Sequence, residues 1–324
     1  MLRLCKDGDG RVLKNVIKKI LTAIPIILGV ITLIFFLVRL SGVSPVYLIA
    51  GEDPTLETIQ ALNEQWGFDK PIYVQWWRFI SNLILRGDLG RGIVTSRAIM
   101  PDLVLNFKYT LQLMFSSMFV SILLGVPFGI ITAMKKNTWI DHLVRFISLC
   151  GASMPGFWVA IMFLKIFAVD LKLFPVMGTG TGEGLWSVLW HLCLPSITLG
   201  LSLMAMVTRM TRTSMLEVMG EQYMTTAKAK GLTYNKQIMK HAFKNATIPI
   251  ITVVGLQLGR LISMGMIVEN IFFRPGIGQY LFIAITNMDF NMIQGTVLFV
   301  SVCLVVINII VDIIYAIVDP RISY

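Results

Sequence analysis

Glu221-Gln222-Tyr223-Met224-Thr225-Thr226-Ala227-Lys228-Ala229-Lys230-Gly231-Leu232, continuing through His241 and Asn245 to Pro249, is the stretch that decides how this chain is read. It is polar, basic and amphipathic, and it lies between two long apolar runs. Its pattern predicts two short helices. The first ends where Gly231 can take a left-handed backbone at little cost, and Thr233 is placed to cap the second. Ile238, Ala242 and Ala246 then share one face at i, i+4 spacing. Pro249 opens the next apolar run, at a position where its missing N–H has no partner to lose. Ala227 and Ala229 are small and let another surface come close to the backbone. Glu221 suits a helix N-terminus or a basic group on such a surface, and Tyr223 offers an amphipathic anchor. An ordinary solvated connector has the same amphipathicity. Ala229–Leu232 followed by basic residues also imitates a helix–turn–helix, but the flanking apolar runs give that module no way into a DNA groove.

Outward from this stretch the chain is too apolar for a soluble domain, with 56% hydrophobic and 14% charged residues over 324 positions. A bilayer is crossed by about 20 apolar residues of helix. Runs of that kind are Ile20–Val38, Tyr109–Met134, Phe146–Leu164, Gly184–Thr208 (entering the membrane near Leu192), Asn245–Val268 and Asn291–Val311. The expected fold is an all-α membrane protein with six transmembrane helices. Ile20–Val38 lacks a small-residue cleavage site after it and is expected to be a retained span.

With the N-terminus inside, seventeen basic and seven acidic residues fall on the inner side, an excess equal to the net charge of +10. By the positive-inside rule both termini are then cytoplasmic. The basic excess therefore needs no nucleic-acid partner. Cys5, Cys150, Cys193 and Cys303 are scattered, with neither metal spacing nor a disulfide framework, and read as small buried hydrophobes. His142, His191 and His241 have no mutual spacing for metal or catalysis. No metal site and no catalytic residue is expected.

The expected organisation is a basic cytoplasmic tail at 1–15, a first transmembrane helix at 16–40 and an external loop at 41–101. A five-helix core follows at 102–324, holding the cytoplasmic loop at 209–247. Asp7-Gly8-Asp9-Gly10 in the tail has oxygen-rich spacing, but Arg11 and Val12 stand where further calcium ligands are needed. The external loop has two helical stretches, Leu56–Gln65 and Tyr73–Leu85. The second clusters Trp76, Trp77 and Phe79, either as interfacial anchors or as part of a small external subdomain. The glycine-rich Gly178–Gly184 follows no strand and holds no lysine, so it reads as a linker and not a phosphate cradle. Within the spans, Arg260 lies about 16 Å along the helix from Pro249, near the middle of the bilayer, where a cation costs a few kcal/mol or more. It is expected to face the bundle interior, either as a pore-lining group or in a structural ion pair. Ser153-Met154-Pro155-Gly156-Phe157-Trp158 breaks the third span, which either opens backbone to a cavity or serves packing. Met154, Pro155 and Phe157 therefore join Arg260 as candidates for a path through the protein.

Several motifs appear in order: Glu-x-Tyr with Thr-Ala-Lys-Ala-Lys-Gly-Leu at 221–232, His241, Lys244-Asn245-Ala246, Pro249, Gly87-Asp88-Leu89-Gly90, Ser153–Trp158, Phe272-Phe273-Arg274-Pro275-Gly276-Ile277-Gly278 and Asp319-Pro320-Arg321. This set resembles the first permease subunit of the dipeptide, oligopeptide and nickel ABC importers, from about residue 16 onward. The resemblance implies a type I importer permease in the inner membrane of a prokaryote. It also implies that the loop carrying Glu221, Tyr223, Thr226, Ala227, Lys228, Ala229, Lys230, Gly231, Leu232, His241 and Asn245 couples to ATPase subunits. The implied partners are a second, related permease, two ATPase subunits and an external solute-binding protein, with membrane lipid around the spans. ATP and magnesium belong to the ATPase partners; this chain is expected to bind no cofactor, and it has no Walker A loop, since no glycine is followed by lysine. The expected activity is peptide import by alternating access. A nickel or metal-complex importer is the alternative, and an ion-coupled secondary transporter is a remote one that lacks the internal repeat such transporters carry. An intramembrane enzyme would need HExxH, GxSxG or a paired set of intramembrane carboxylates, and none is found.

Overall fold

Inside a bilayer every backbone N–H and C=O must be satisfied within the protein, so long apolar runs fold as long helices. The computed structural model describes residues 2–40, 42, 44–51 and 53–318. Its helices are α1 (Leu2–Leu40), α2 (Val46–Ile49), α3 (Leu56–Trp66), α4 (Ile72–Arg86), α5 (Ile99–Met134), α6 (Trp139–Ser153), α7 (Gly156–Phe163), α8 (Leu185–Met219), α9 (Gln222–Ala229), α10 (Tyr234–Lys236), α11 (Lys244–Ile271), α12 (Ile277–Thr286) and α13 (Phe290–Val318). Two π-helical stretches, Leu164–Asp170 and Gln237–Phe243, extend α7 and join α10 to α11. Among the described residues the β structure is a single isolated bridge, Arg91 to Ala98. The closing Asp319-Pro320-Arg321 motif lies outside the described residues.

Among the described residues five helices are long and apolar enough to cross a membrane, and a sixth crossing is available only as a bent pair. The run at Phe146–Leu164, expected as one span broken at Pro155, is divided there into two helices. Trp139–Gly151 and Gly156–Asp170 meet at 95°. The cause is local: Pro155 drives the residue before it out of the helical region, and Met154 is extended at ψ 133°. The stretch expected as a basic tail, 1–15, is helical from Leu2 onward and continuous with the first span.

The chain forms two compact units, one of 1–108 with 276–309, the other of 109–275 with the chain from 310. In the first, α4 lies along the C-terminal half of α1. Trp76 Nε1 donates to Thr32 Oγ1 at 3.2 Å, Arg39 Nε donates to Gln75 Oε1 at 2.8 Å, and Phe79 stacks on Phe35. Trp76 is thus held by α1, while Trp77 remains exposed. Asp289, fully buried between α12 and α13, accepts from the Met292 N–H at 3.0 Å and from the Val94 N–H at 3.1 Å. One carboxylate therefore caps α13 and ties down the loop before α5. Burial pushes this carboxyl above its ordinary range, although the surrounding backbone N–H groups favour its charged form.

In the second unit α5 and α8 pack backbone to backbone. Gly125 and Gly129 sit four residues apart on α5 against Val207 and Thr208 of α8, and Gly200 on α8 meets α5 at Val120 and the Ser117 carbonyl. A Cβ added at Gly125 would lie 2.9 Å from Val207, one at Gly129 would lie 2.8 Å from the Thr208 carbonyl, and one at Gly200 would lie 2.8 Å from Val120. Small residues four apart allow such close approach in lipid. Ser116 and Ser196 add a hydrogen bond of 2.6 Å between the same helices.

Two outcomes are expected. Gly129→Leu drives a side chain into α8, with an overpacking cost of about 1–3 kcal/mol or more; the variant loses monodisperse protein in mild detergent and melts several degrees lower. Asp289→Ala leaves the buried Met292 N–H without its acceptor, at about 1–3 kcal/mol, and releases the part-buried Val94 N–H. Trypsin should then cut faster at the exposed Arg91 and Arg97, an effect that limited proteolysis of proteoliposomes reads directly.

Candidate functional site

The polar stretch between α8 and α11 packs onto the second unit through a small apolar core. Met215 of α8, Met224 of α9, Ile238 and Ala242 of the π-helical stretch, Ala246 and Ile250 of α11 and Ala133 of α5 are buried together. Burying a methionine or isoleucine side chain contributes about 1.5–3 kcal/mol each, so α9 is seated and not loosely tethered. Glu221 occupies the N-cap of α9 with extended backbone, but its side chain makes no capping bond and stays exposed. Gly231 takes φ +75°, the left-handed turn its type allows. A Cβ built on it would meet nothing within 4 Å, so that corner faces open space.

Four local expectations need correction. The second loop helix is not a separate element: Tyr234–Ile271 runs as one helix through the π-helical stretch, so the end of the loop is the base of a span. Pro249 accordingly lies inside that helix and not at its first turn. Thr233 has the extended backbone of an N-cap, yet its hydroxyl makes no cap; Gln237 Nε2 instead donates to the Leu232 carbonyl at 2.6 Å. Ala227 does not face outward. It is buried with Met224, three residues earlier on the same face of α9, whereas Ala229 is exposed.

The other loop residues divide by face. Tyr223, Thr226, Lys228, Lys230 and Asn245 are exposed, and Leu232 and His241 are half-buried. Tyr223 and Asn245, twenty-two positions apart, meet: Asn245 Nδ2 donates to the Tyr223 hydroxyl at 2.8 Å and to the His241 carbonyl at 3.1 Å. Hence α9 is fastened to the base of α11 twice, by this hydrogen bond and by the apolar core.

A cavity of about 800 Å³ opens between α6, α8 and α11. Arg260 lines it from α11, alongside Gln257 and Met264. Met154, Pro155 and Phe157 do not line it; all three are exposed elsewhere on the surface. Gly156 comes nearest, since a Cβ there would lie 3.6 Å from Met264. Three further arginines line the cavity that sequence reasoning did not gather: Arg145, Arg209 and Arg212. Beside it the fully buried Asp141 carboxylate accepts from Arg212 Nε at 3.0 Å and Nη2 at 2.9 Å, pairs with Arg145 Nε at 3.1 Å, and accepts the Asn137 N–H at 3.0 Å. The bidentate Arg212 fork is the strong form of such a contact. The only hint in the sequence was the placing of arginines at 209 and 212, one helical turn apart, which also satisfies an inner-face charge bias.

Residues 125–324 match the family described as the binding-protein-dependent transport system inner membrane component, and residues 12–114 match the N-terminal region described for such membrane components. The dipeptide transport system permease protein DppB of Alkalihalophilus pseudofirmus is 38% identical, over 95% of this chain and 98% of that protein. The glutathione transport system permease protein GsiC of Escherichia coli K12 is 36% identical, over 96% and 99%. Among solved structures, the MetNI methionine ABC transporter in an inward-facing conformation is similar, with a TM-score of 0.55 and 20% identity, covering 68% of this chain and 98% of that one; this likeness speaks for the fold. The chain belongs to the binding-protein-dependent transport system inner membrane component family.

Proposed function

We propose that this chain is the pore-forming permease subunit of an ATP-driven importer of peptides, delivered by an external binding protein and passed inward by alternating access. The observation that carries this reading is the double fastening of α9 to α11. A surface that is exposed on one side and riveted to a span on the other is what a protein driven by separate ATPase subunits requires. Near full-length relatives named as dipeptide and glutathione permeases support the cargo class.

In this reading Glu221, Tyr223, Thr226, Lys228, Ala229, Lys230 and Gly231 form the face gripped by an ATPase subunit. Ala227, Leu232, His241 and Asn245 hold that face in place. Two ATPase subunits closing on magnesium–ATP displace α9, and the Tyr223–Asn245 bond with the core around Ile238 carries the displacement into α11. Arg260 moves with it, because it sits on the same helix. A second, related permease completes the pore. Both termini and the 209–247 loop lie in the cytoplasm, in agreement with the basic excess on that side. The expected 41–101 subdomain faces outward, where it meets the binding protein. Bare nickel is the poorer cargo, since four guanidiniums on one cavity repel a metal cation.

Co-purification in mild detergent is the test of the assembly. The chain should bring down two kinds of partner, a related permease and an ATPase, and the reconstituted complex should take up a dipeptide only with ATP and binding protein. Uptake by this chain alone would refute the reading. A finer outcome is expected from Gly231→Trp. The left-handed backbone strains any L side chain by about 1–2 kcal/mol, and the indole would project into the gripped face. ATP hydrolysis should continue while uptake falls at least tenfold; unchanged coupling would remove the loop from the mechanism.

A further inference from the structure

The four arginines on the α6–α8–α11 cavity are not equivalent. Arg145 and Arg212 are committed to Asp141, whose two oxygens they share with the Asn137 N–H. Arg260 makes no hydrogen bond or ion pair with any described residue, and the Arg209 guanidinium meets just the Met206 thioether, at 3.0 Å. Four cations and one neighbouring carboxylate leave a strong positive excess on a wall that also includes the apolar Phe146, Leu149, Leu203 and Met264 and the polar Ser148, Ser202 and Gln257. Such a wall focuses field into the space it encloses. A guanidinium presents a planar fork suited to a carboxylate.

Resting on the importer reading above, we propose that this cavity is a station for the cargo's carboxylate. Arg209 and Arg260 engage the anion directly, the Asp141-bound pair of Arg145 and Arg212 supplies fixed field, and the apolar wall takes the cargo's side chains. The class of cargo that fits is a small peptide with a free C-terminal acid. The volume, about 800 Å³, lies within the range of roughly 300–1,000 Å³ for small-molecule pockets. A lipid phosphate is the other source of an anion, and the depth of Arg260 argues against it, whereas Arg209 lies nearer the inner end of α8. Arg260 lies roughly 24 Å from the start of α11 at Lys244 and roughly 17 Å from its end at Ile271, at 1.5 Å per residue, far from the headgroup level at either face. Arg209 and Arg260 thus act on the cargo itself, while Asp141 is a positioning residue that acts through its two arginines.

The test uses the complete complex in vesicles, with the four native cysteines changed to alanine and Ser202→Cys placing a thiol on the cavity wall. The thiol is modified by an anionic (sulfonatoethyl) or a cationic (trimethylammonioethyl) methanethiosulfonate. The anionic reagent should react roughly tenfold faster or more, as expected for attraction by unit charges within a few ångströms. Arg209→Gln and Arg260→Gln should each bring the ratio toward one, and the Lys variants should keep it. Because the Lys variants restore the charge at the same positions, their ratio separates loss of charge from loss of fold. The dipeptide Ala-Phe should protect the thiol, and its C-terminal amide should not. Equal rates for the two reagents, as a compensating acid from the second permease would give, or equal protection by acid and amide, would overturn the proposal. So would protection that follows phosphatidylglycerol content and ignores the dipeptide, which marks a lipid site. ATP-driven uptake is measured on the same vesicles. Protection without uptake sinks the importer reading and leaves the site; uptake without protection sinks the site alone.

Discussion

Helices in lipid gain little by hiding apolar surface from one another, because the lipid tails are as apolar as leucine. The second unit therefore depends on contact so close that side chains are dispensed with. At Gly125, Gly129 and Gly200 the α5 and α8 backbones approach within a distance no Cβ would tolerate. Dispersion gained at such range is small per atom and large in sum. The seam fixes α8, and α8 fixes much of the rest. It carries Arg209 and Arg212 on one side, Met215 beneath the loop core, and the entry into α9.

The charged groups of this unit follow the same economy. A guanidinium in a low-dielectric surround is costly unless it is paired, and Arg212 meets that cost with a bidentate carboxylate that is itself fully buried. Arg145 shares the same carboxylate. Arg260 and Arg209 are treated differently: both face open space on the cavity and are exposed. Holding two cations fixed while two others stay available is a division of roles that neighbouring residues alone do not explain, since Arg209 and Arg212 sit on one helix one turn apart.

Much of this was legible in the sequence where the deciding rule is local. The long helices follow from apolar run length, and the corner at Gly231 from glycine's freedom at positive φ. The break at Pro155 was also readable, because proline acts on the residue before it. The 95° angle was not, since tertiary packing sets how far a broken helix folds over. The fusion of the loop's second helix with the fifth span escaped because a π-helical stretch has no composition of its own; Gln237–Phe243 reads like any amphipathic turn. Ala227 was misread by size alone, when its spacing from Met224 already put it on the inner face. The cavity was invisible for another reason. Arg145, Arg209 and Arg212 each looked like inner-surface charge, and only the rotation of α6 and α8 about their axes brings them to one wall with Arg260.

The unbroken course from Tyr234 to Ile271 has a geometric corollary. Tyr234 and Arg260 stand roughly 40 Å apart on one rod, at about 1.5 Å per residue. A rod of that length magnifies small tilts: about five degrees at one end sweeps the other by about 3.5 Å, enough to break a hydrogen bond. Grip and release of an anion at the far end can therefore be set by a rocking too slight to disturb the packing of either helix neighbour.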